Sequence, residues 1–178
     1  MAGRSFKQIK QQKGAADIKR GVIFSKLLSA VSAAAKIEPN PDFNPRLRTT
    51  IEKARAASVP LENIERAISK ATSGETVSEE VLFEAYGPGG VALLIEAITD
   101  STNRTVAEIK LLLRENNGKW AEPGSVTWAF EPSIEGGAPV WVAKFPLEIS
   151  ETDKENLRAL IAVIEEQQDV QRVYTNAQ

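Results

Sequence analysis

The chain of 178 residues contains neither cysteine nor histidine, and each absence excludes a class of chemistry. Without cysteine there is no disulfide and no thiol nucleophile, and without either residue there is no Cys/His zinc site. Without histidine there is no Ser-His-Asp triad and no imidazole pH switch. The 24 acidic residues show no spacing that points to a nucleophile or a metal ligand set. We therefore expect no catalytic residue, no metal site and no cofactor, and we expect that the protein is not an enzyme.

Long apolar runs are also missing. The longest lies at about Val91 to Ile95, far short of the roughly 18 residues that a membrane-spanning helix needs. The N-terminus carries charge but no apolar segment after it, which is not typical of a secretory signal. With 42% hydrophobic and 26% charged residues, the composition is that of a globular protein. We expect a cytoplasmic protein with no membrane contact, and the sequence does not indicate its oligomeric state.

The net charge of −2 conceals an uneven distribution of charge. Residues 1–72 carry 14 basic and 6 acidic side chains, whereas residues 73–178 carry 8 basic and 18 acidic. Such a split is typical of a polyanion-binding region joined to an acidic region. Scattered lysines are often merely solvated, but eight of the first 36 residues are basic and only Asp17 is acidic. The candidate nucleic-acid-binding residues of this region are Arg4, Lys7, Lys10, Lys13, Lys19, Arg20, Lys26, Arg46 and Arg48.

Helical periodicity dominates the basic region. Residues 1–14 have regularly spaced cations without apolar partners, which predicts an extended or loosely ordered arm. From Ala15 to Ala35, apolar residues recur three and four apart, as on one face of a helix. Asn44 followed by Pro45 predicts an N-cap and a proline at the first helical position of a second helix, and a third helix follows. The sequence thus predicts a basic three-helix domain with an N-terminal arm over residues 1–74.

After residue 74 the hydrophobic period falls to two, and helices with capping signals alternate with strands. Strands are predicted at Val81–Tyr86, Val91–Ile98, Val126–Phe130, Val140–Ile149 and Val170–Thr175. Gly87-Pro88-Gly89-Gly90 indicates a hairpin turn, because it lacks the Lys-Ser/Thr that completes a phosphate-binding loop. Pro132 to Pro139 is predicted as a loop. The order contains the β-α-β-β-α-β pattern of a ferredoxin-like sandwich, so the fold class is α+β, with an acidic ferredoxin-like α/β sandwich domain over residues 75–178.

Tryptophan and arginine residues provide further candidates in the acidic domain. Trp128 and Trp141 are predicted to be buried in its core, whereas Trp120, beside Lys119 in a predicted loop, is a candidate for exposed stacking on a base. Arg104 lies at the start of a helix whose free N–H groups suit an anion. It either binds nucleic acid or ties its loop to the acidic sheet, and the sequence leaves both roles open.

Blocks along most of the chain resemble the YebC-type regulatory proteins. They are Met1 to Lys10, Lys13 to Leu27, Asn44 to Ile68, Tyr86 to Ile109, Gly124 to Phe130 and Asp169 to Asn176. The resemblance implies a nucleic-acid-binding regulator of gene expression, with DNA-level transcriptional control as the family's usual description. The mitochondrial relatives activate translation of a cytochrome oxidase subunit. The resemblance also implies that Asn103-Arg104-Thr105 is a characteristic stretch.

Two departures from the family pattern stand out. The family usually has a third domain inserted after the strand matched by Gly124 to Phe130, and only the short segment Glu131 to Pro139 occupies that place here. The chain is therefore similar to a short form that lacks the inserted domain. The N-terminal arm also differs, because Arg4 and Phe6 stand where the family usually has histidine and tryptophan.

Three functions remain open at this point. The chain is a DNA-binding transcriptional regulator, or a translation factor that binds ribosomal RNA while its acidic domain meets basic ribosomal proteins, or a protein–protein adaptor that acts through the acidic domain. Contacts to phosphates supply affinity but little base information. The acidic domain is repelled by a free duplex, which favours the second and third functions. The sequence does not specify DNA or RNA, or a target sequence.

Overall fold

The computed structural model describes residues 3–74, 78–135 and 138–178, with side chains from Ala16 onwards except that of Ala138. Three helices come first, and a mixed region of strands and helices follows. The helices of the first region are α1 (Gly3–Ala35), α2 (Pro45–Ala56) and α3 (Leu61–Ser73). The elements of the second region are β1 (Glu79–Tyr86), β2 (Ala92–Thr99), α4 (Thr102–Glu115), β3 (Lys119–Ala121), β4 (Phe130–Glu135), β5 (Ala138–Ala143), α5 (Glu151–Glu166) and β6 (Val170–Thr175).

The three helices enclose a small aliphatic core. Its buried members are Val31, Ala34, Ala35, Leu47, Ala54, Val59, Ile64 and Ala71. Asn44 organises the turn between α1 and α2, because its Oδ1 accepts the N–H of Leu47 at 3.0 Å and its Nδ2 donates to the carbonyl of Ala34 at 2.9 Å. The predicted Asn44 cap followed by Pro45 is confirmed. A buried amide thus connects the end of one helix to the start of the next.

The predicted extended arm is wrong, because α1 begins at Gly3. No proline interrupts the sequence between Arg4 and Ala35, and lysine, glutamine and alanine are good helix formers. Local propensity therefore continues the helix beyond the turns that pack against α2 and α3. The predicted phosphate ligands Arg4, Lys7, Lys10 and Lys13 lie on this segment, and their side chains are outside the described residues.

The main sheet has the strand order β3-β1-β2-β6, and every neighbouring pair is antiparallel. Helices α4 and α5 bury their apolar faces on one side of it, through Ile109, Leu113, Leu157, Leu160 and Ile164. Strand β1 lies between β2 and β3, which are joined by α4, and this is the split β-α-β arrangement of a ferredoxin-like sandwich. The predicted α+β fold class is confirmed.

Strands β4 and β5 form a separate two-stranded sheet, paired from Phe130↔Ala143 to Glu135↔Ala138. The predicted loop at Pro132–Pro139 is therefore wrong, and the predicted strand Val140–Ile149 ends early, at Ala143. All residues of β4 after Phe130 are exposed, so no apolar alternation marks this strand in the sequence. Gly136 and Gly137, between the two strands, lie outside the described residues.

The predicted strand Val126–Phe130 is also wrong, because Thr127–Ala129 forms a 3₁₀ turn. Val126 and Ala129 are buried while Trp128 is 63% exposed. Burial three residues apart is the period of a 3₁₀ turn, whereas the sequence pattern had indicated a period of two. The edge of the main sheet is occupied instead by the short strand β3.

The predicted environments of two tryptophans are reversed. Trp120 lies in β3, packs against the helix-covered core and places its ring centroid 5.5 Å from that of Phe83. Trp128 is the exposed tryptophan among the described residues, and Trp141 of β5 packs against a separate buried cluster that includes Leu94, Val126 and Phe130. A three-residue strand is too short to produce a recognisable alternation, which is why Trp120 was expected in a loop.

The predicted division into domains at residues 74 and 75 falls beside residues 75–77, which are outside the described residues. Helices α1 to α3 precede this point and all described strands follow it. The boundary itself stays a prediction.

The turn between β1 and β2 offers a matched pair of glycine substitutions. Gly89 and Gly90 both have positive φ, 76° and 77°. A Cβ at Gly89 would lie 2.7 Å from Cγ2 of Ile149, whereas a Cβ at Gly90 meets nothing within 4 Å. The backbone strain of about 1–2 kcal/mol is common to both alanine variants. We expect Gly89→Ala to lower the free energy of unfolding by about 1–3 kcal/mol more than Gly90→Ala, as measured in urea. Equal losses would contradict this packing.

Candidate nucleic-acid interface

Helix α2 carries four cations on the two flanks of its buried stripe. Arg46 and Lys53, seven residues apart, lie on one flank, and Arg48 and Arg55, also seven apart, lie on the other. All four are exposed. Arg46 and Arg48 are among the predicted site residues. Lys53 and Arg55 are not, although their seven-residue spacing from Arg46 and Arg48 is a signal in the sequence. The helix thus presents positive charge on both sides of its contact with α1.

A groove of about 300 Å³ lies between α1 and α3. Leu28 and Ala67 supply its apolar surface, and Asn63, Arg66 and Lys70 supply its polar groups. The two cations are exposed, and Arg66 also pairs with Glu62 at 2.6 Å. Arg66 and Lys70 lie in the basic region of residues 1–72 but are not among the predicted site residues. The groove extends the candidate interface to the third helix.

Three of the predicted phosphate ligands contact the acidic part of the chain. Nζ of Lys19 lies 3.2 Å from Oε1 of Glu166, and an Nη of Arg46 lies 2.5 Å from Oε1 of Glu80. Lys26 donates from Nζ to the carbonyl oxygen of Glu165. Burial lowers the pKa of Lys26, and the negative charge of Glu165 acts in the opposite direction. These cations therefore already have anionic or carbonyl partners within the chain.

The two other predicted cations of this region make local contacts. Arg48 donates from its guanidinium to the carbonyls of Pro41 at 3.2 Å and Asp42 at 3.1 Å, which orders the turn before α2. The guanidinium of Arg20 lies 5.1 Å from the ring centroid of Phe24. Both side chains remain exposed to solvent.

Arg104 is tied to the acidic sheet. One Nη lies 2.9 Å from Oδ1 of Asp100 and 2.9 Å from Oδ2 of Asp169, whose side chain is only 11% exposed. Hydrogen bonds to Asp169 and then to Asp100 raise the pKa of Arg104. Burial acts to raise the pKa of Asp169, but hydrogen bonds from Arg104, Thr105 and Gln167 hold it below its ordinary value. Arg104 therefore ties the start of α4 to Asp169. Contact of Arg104 with nucleic acid stays a prediction.

A second surface lies in the acidic part, where a cleft of about 270 Å³ is open beside the 3₁₀ turn. Trp128 and Phe145, 63% and 53% exposed, form part of its wall with ring centroids 5.6 Å apart. The indole Nε1 of Trp128 donates to the carbonyl of Ser125 at 2.8 Å. Because this polar group is already satisfied, the ring offers mainly apolar surface to an incoming molecule.

Two buried polar side chains hold the walls of this cleft. The carboxylate of Glu84 accepts the N–H groups of Gly124, Val126 and Thr127 and the hydroxyl of Thr127, at 2.6 to 3.0 Å. Asn176 donates from Nδ2 to the carbonyl of Phe145 at 2.9 Å. Burial acts to raise the pKa of Glu84, but these four hydrogen bonds to its charged form hold the pKa below the ordinary value. The hydrogen bonds of Glu84 and Asn176 thus fix the backbone beside Trp128 and at Phe145.

The described part of the chain lacks the features of a metal cluster and of a membrane span. Its side chains include no group of three or more histidine, cysteine, aspartate or glutamate residues arranged to hold a metal ion. No helix within residues 3–74, 78–135 and 138–178 combines the length and the apolar character needed to span a bilayer.

Comparisons with known proteins identify relatives of both parts of the chain. Residues 4–74 match the family described as "TACO1/YebC protein N-terminal domain", and residues 78–135 match "TACO1/YebC second and third domain". A "Probable transcriptional regulatory protein" of Trichlorobacter lovleyi is 51% identical over 126 residues, which are 69% of this chain and 51% of the relative. A protein of the same name from Prosthecochloris aestuarii is 50% identical over 135 residues, which are 73% of this chain and 54% of the relative.

The chain spans about half the length of these curated relatives. Among solved structures, it is similar to the crystal structure of a conserved hypothetical protein, Aq1575, from Aquifex aeolicus. That similarity has a TM-score of 0.80 and 29% sequence identity and covers 90% of each chain.

The hydrogen bonds of Glu84 predict a pH-dependent loss of stability on substitution. Glu84→Gln should lower the free energy of unfolding at neutral pH by about 1.5–3 kcal/mol, because an amide cannot accept all four bonds. A carboxyl whose pKa is depressed on folding contributes stability that is fully present above its unfolded pKa of about 4.3. That contribution is lost as the pH falls through the folded pKa.

Urea unfolding over a series of pH values measures the difference in free energy of unfolding between wild type and Glu84→Gln. This difference should shrink below about pH 4. Glu122→Gln, at an exposed carboxyl of the same loop, is the control and should stay close to wild type throughout. A gap for Glu84→Gln that persists unchanged into acid would contradict this assignment.

Proposed function

The chain belongs to the TACO1/YebC family, and from that premise we propose that it is a nucleic-acid-binding regulator of gene expression without catalytic activity of its own. The relatives named above are probable transcriptional regulatory proteins, which supports a regulatory role. DNA-level transcriptional control in the cytoplasm is the finer form of the proposal. The three-helix part supplies the contacts with phosphates.

The observation that carries the proposal is the set of exposed cations on α2 and α3. They are Arg46, Arg48, Lys53, Arg55, Arg66 and Lys70. Side chains of this kind neutralise backbone phosphates and release counterions, which gives affinity that falls with salt. They position a nucleic acid without reading its bases, so we expect low sequence specificity from this surface alone.

A ribosome-associated translation factor is the second candidate, and a specific observation favours it. The cleft beside Trp128 lies in the part of the chain that has 8 basic and 18 acidic residues. Such a charge repels a free duplex but attracts a basic partner. A ribosome offers anionic RNA to the helices and basic proteins to the acidic part. The same surface would serve the protein–protein adaptor, which is the third candidate.

The occupant that we propose for the cleft is a basic protein segment with an apolar anchor side chain. The carbonyl of Ser125 already accepts hydrogen bonds from Trp128 and from the hydroxyl of Tyr86. Because these polar groups are engaged within the chain, the cleft favours an apolar group over a hydrogen-bonding one. The net negative charge of this part of the chain favours a basic partner segment around that anchor.

The role of the helical cations is tested by removing two positive charges in two places. Lys53→Gln/Arg55→Gln changes the proposed interface, and Arg114→Gln/Arg158→Gln makes the same charge change at exposed sites on α4 and α5. On duplex DNA, we expect the first variant to make the plot of log association constant against log salt concentration less steep, by about 2 in slope. Each lost phosphate contact removes about 0.9 from the magnitude of that slope.

Fluorescence anisotropy with short labelled DNA and RNA over a salt series measures the effect. The Arg114→Gln/Arg158→Gln variant should bind almost as wild type does. Equal weakening by the two variants would contradict a surface confined to the helices, because it would show only the effect of net charge.

The role of the cleft is tested by Trp128→Ala with Ile134→Ala as control, since Ile134 is 78% exposed on β4. We expect Trp128→Ala to weaken cosedimentation with purified ribosomes about tenfold or more, as truncation of an aromatic anchor commonly does. Binding of short nucleic acids should be unchanged, and Ile134→Ala should match wild type in both assays. Full ribosome binding by Trp128→Ala would remove the support for this second candidate.

A further inference from the structure

The C-terminal turn of α5 concentrates negative charge in an unfavourable place. It carries Glu165 and Glu166, and no basic residue of α5 lies in its last turn. The end of a helix is already the negative pole of its macrodipole, where cations are stabilising and carboxylates are not. This turn therefore requires positive charge from another part of the chain.

Helix α1 supplies that charge through Lys19 and Lys26, two of the predicted nucleic-acid-binding residues. Lys19 pairs with Glu166 at 3.2 Å, and Lys26 donates to the C-terminal carbonyl of Glu165. The two lysines are seven residues apart, so they lie on the same face of α1. The last turn of α5 thus presents closely spaced carboxylate and carbonyl oxygens to α1. The phosphate oxygens of a nucleic acid would accept hydrogen bonds from the same two lysines.

The contact is suited to exchange. The side chains of Lys19 and Glu166 are 72% and 64% exposed, and exposed ion pairs are weak and screened by salt. A polyanion can replace such a pair because each phosphate contact also gains free energy from counterion release. The pair between Arg46 and Glu80 joins the same two parts of the chain at a second point.

We propose that the last turn of α5 occupies part of the nucleic-acid-binding surface of α1 in the free protein, and that a bound nucleic acid displaces it. The inference rests on the proposed function and adds its regulation. Nucleic-acid binding then separates α1 from the end of α5 and leaves Glu165 and Glu166 without these partners. Any ligand that neutralises the two carboxylates strengthens nucleic-acid binding.

The first test compares two full-length variants with the same change in net charge. Glu165→Gln/Glu166→Gln removes both carboxylate charges of the last turn of α5, including the partner of Lys19, and keeps the carbonyl that Lys26 contacts. Glu148→Gln/Glu155→Gln removes two exposed carboxylates that have no described contact with α1. We expect the first variant to bind a short labelled RNA or DNA about three- to tenfold more tightly than the second, with a smaller difference at high salt. Equal affinities would overturn the proposal, and thermal unfolding checks that both variants remain folded.

The second test measures separation directly. Because the chain has no cysteine, Ser25→Cys and Gln168→Cys provide two labelling sites, one on α1 and one just after α5. Distance measurements between spin labels should show a longer or broader distribution when nucleic acid saturates the protein, and an unchanged distribution would overturn the proposal.

Absence of binding by the wild-type chain would overturn the proposed function together with this inference. Binding that both glutamine variants strengthen equally would overturn the inference alone.

Discussion

The contact between α1 and the end of α5 joins two parts of the chain that carry opposite charge. It places Lys19 and Lys26 against the last turn of α5, which carries Glu165 and Glu166. Such contacts are individually weak, yet they decide which cations of the helical part are free for another anion. This contact engages Lys19 and Lys26 of α1, whereas Lys53, Arg55 and Lys70 of α2 and α3 are exposed to solvent. Both the proposed binding of nucleic acid by α1 and its regulation by α5 depend on this contact.

Buried polar side chains explain how the irregular segments are held. Asn44 connects α1 to α2, Glu84 binds the turn before Trp128, Asp169 binds the start of α4 through Arg104, and Asn176 holds the backbone of Phe145. Each is fully or partly removed from water and hydrogen-bonded, as a buried polar group must be. These hydrogen bonds therefore fix the start of α2, the start of α4 and the walls of the cleft beside Trp128.

Local signals in the sequence predicted most of the regular elements. Asn44-Pro45 located α2, and alternation or helical spacing located β1, β2, α4, α5 and β6. The sequence pattern failed where a distant side chain decides the conformation: Glu84 captures the N–H groups of a segment whose alternation favoured a strand. It also failed for β4, whose exposed residues show no apolar alternation, and for the cations of α3. The ion pairs of Lys19 and Arg104 depend on the tertiary fold, which spacing alone does not reveal.

The central claim is that the three-helix part binds nucleic acid while the acidic part does not. Hydrogen–deuterium exchange of the full chain, with and without a saturating RNA or DNA, tests it most directly. Bound nucleic acid is predicted to slow amide exchange along α1, α2 and α3 and to speed it at the last turn of α5. Protection confined to the sheet, with no change in the helices, would contradict the account.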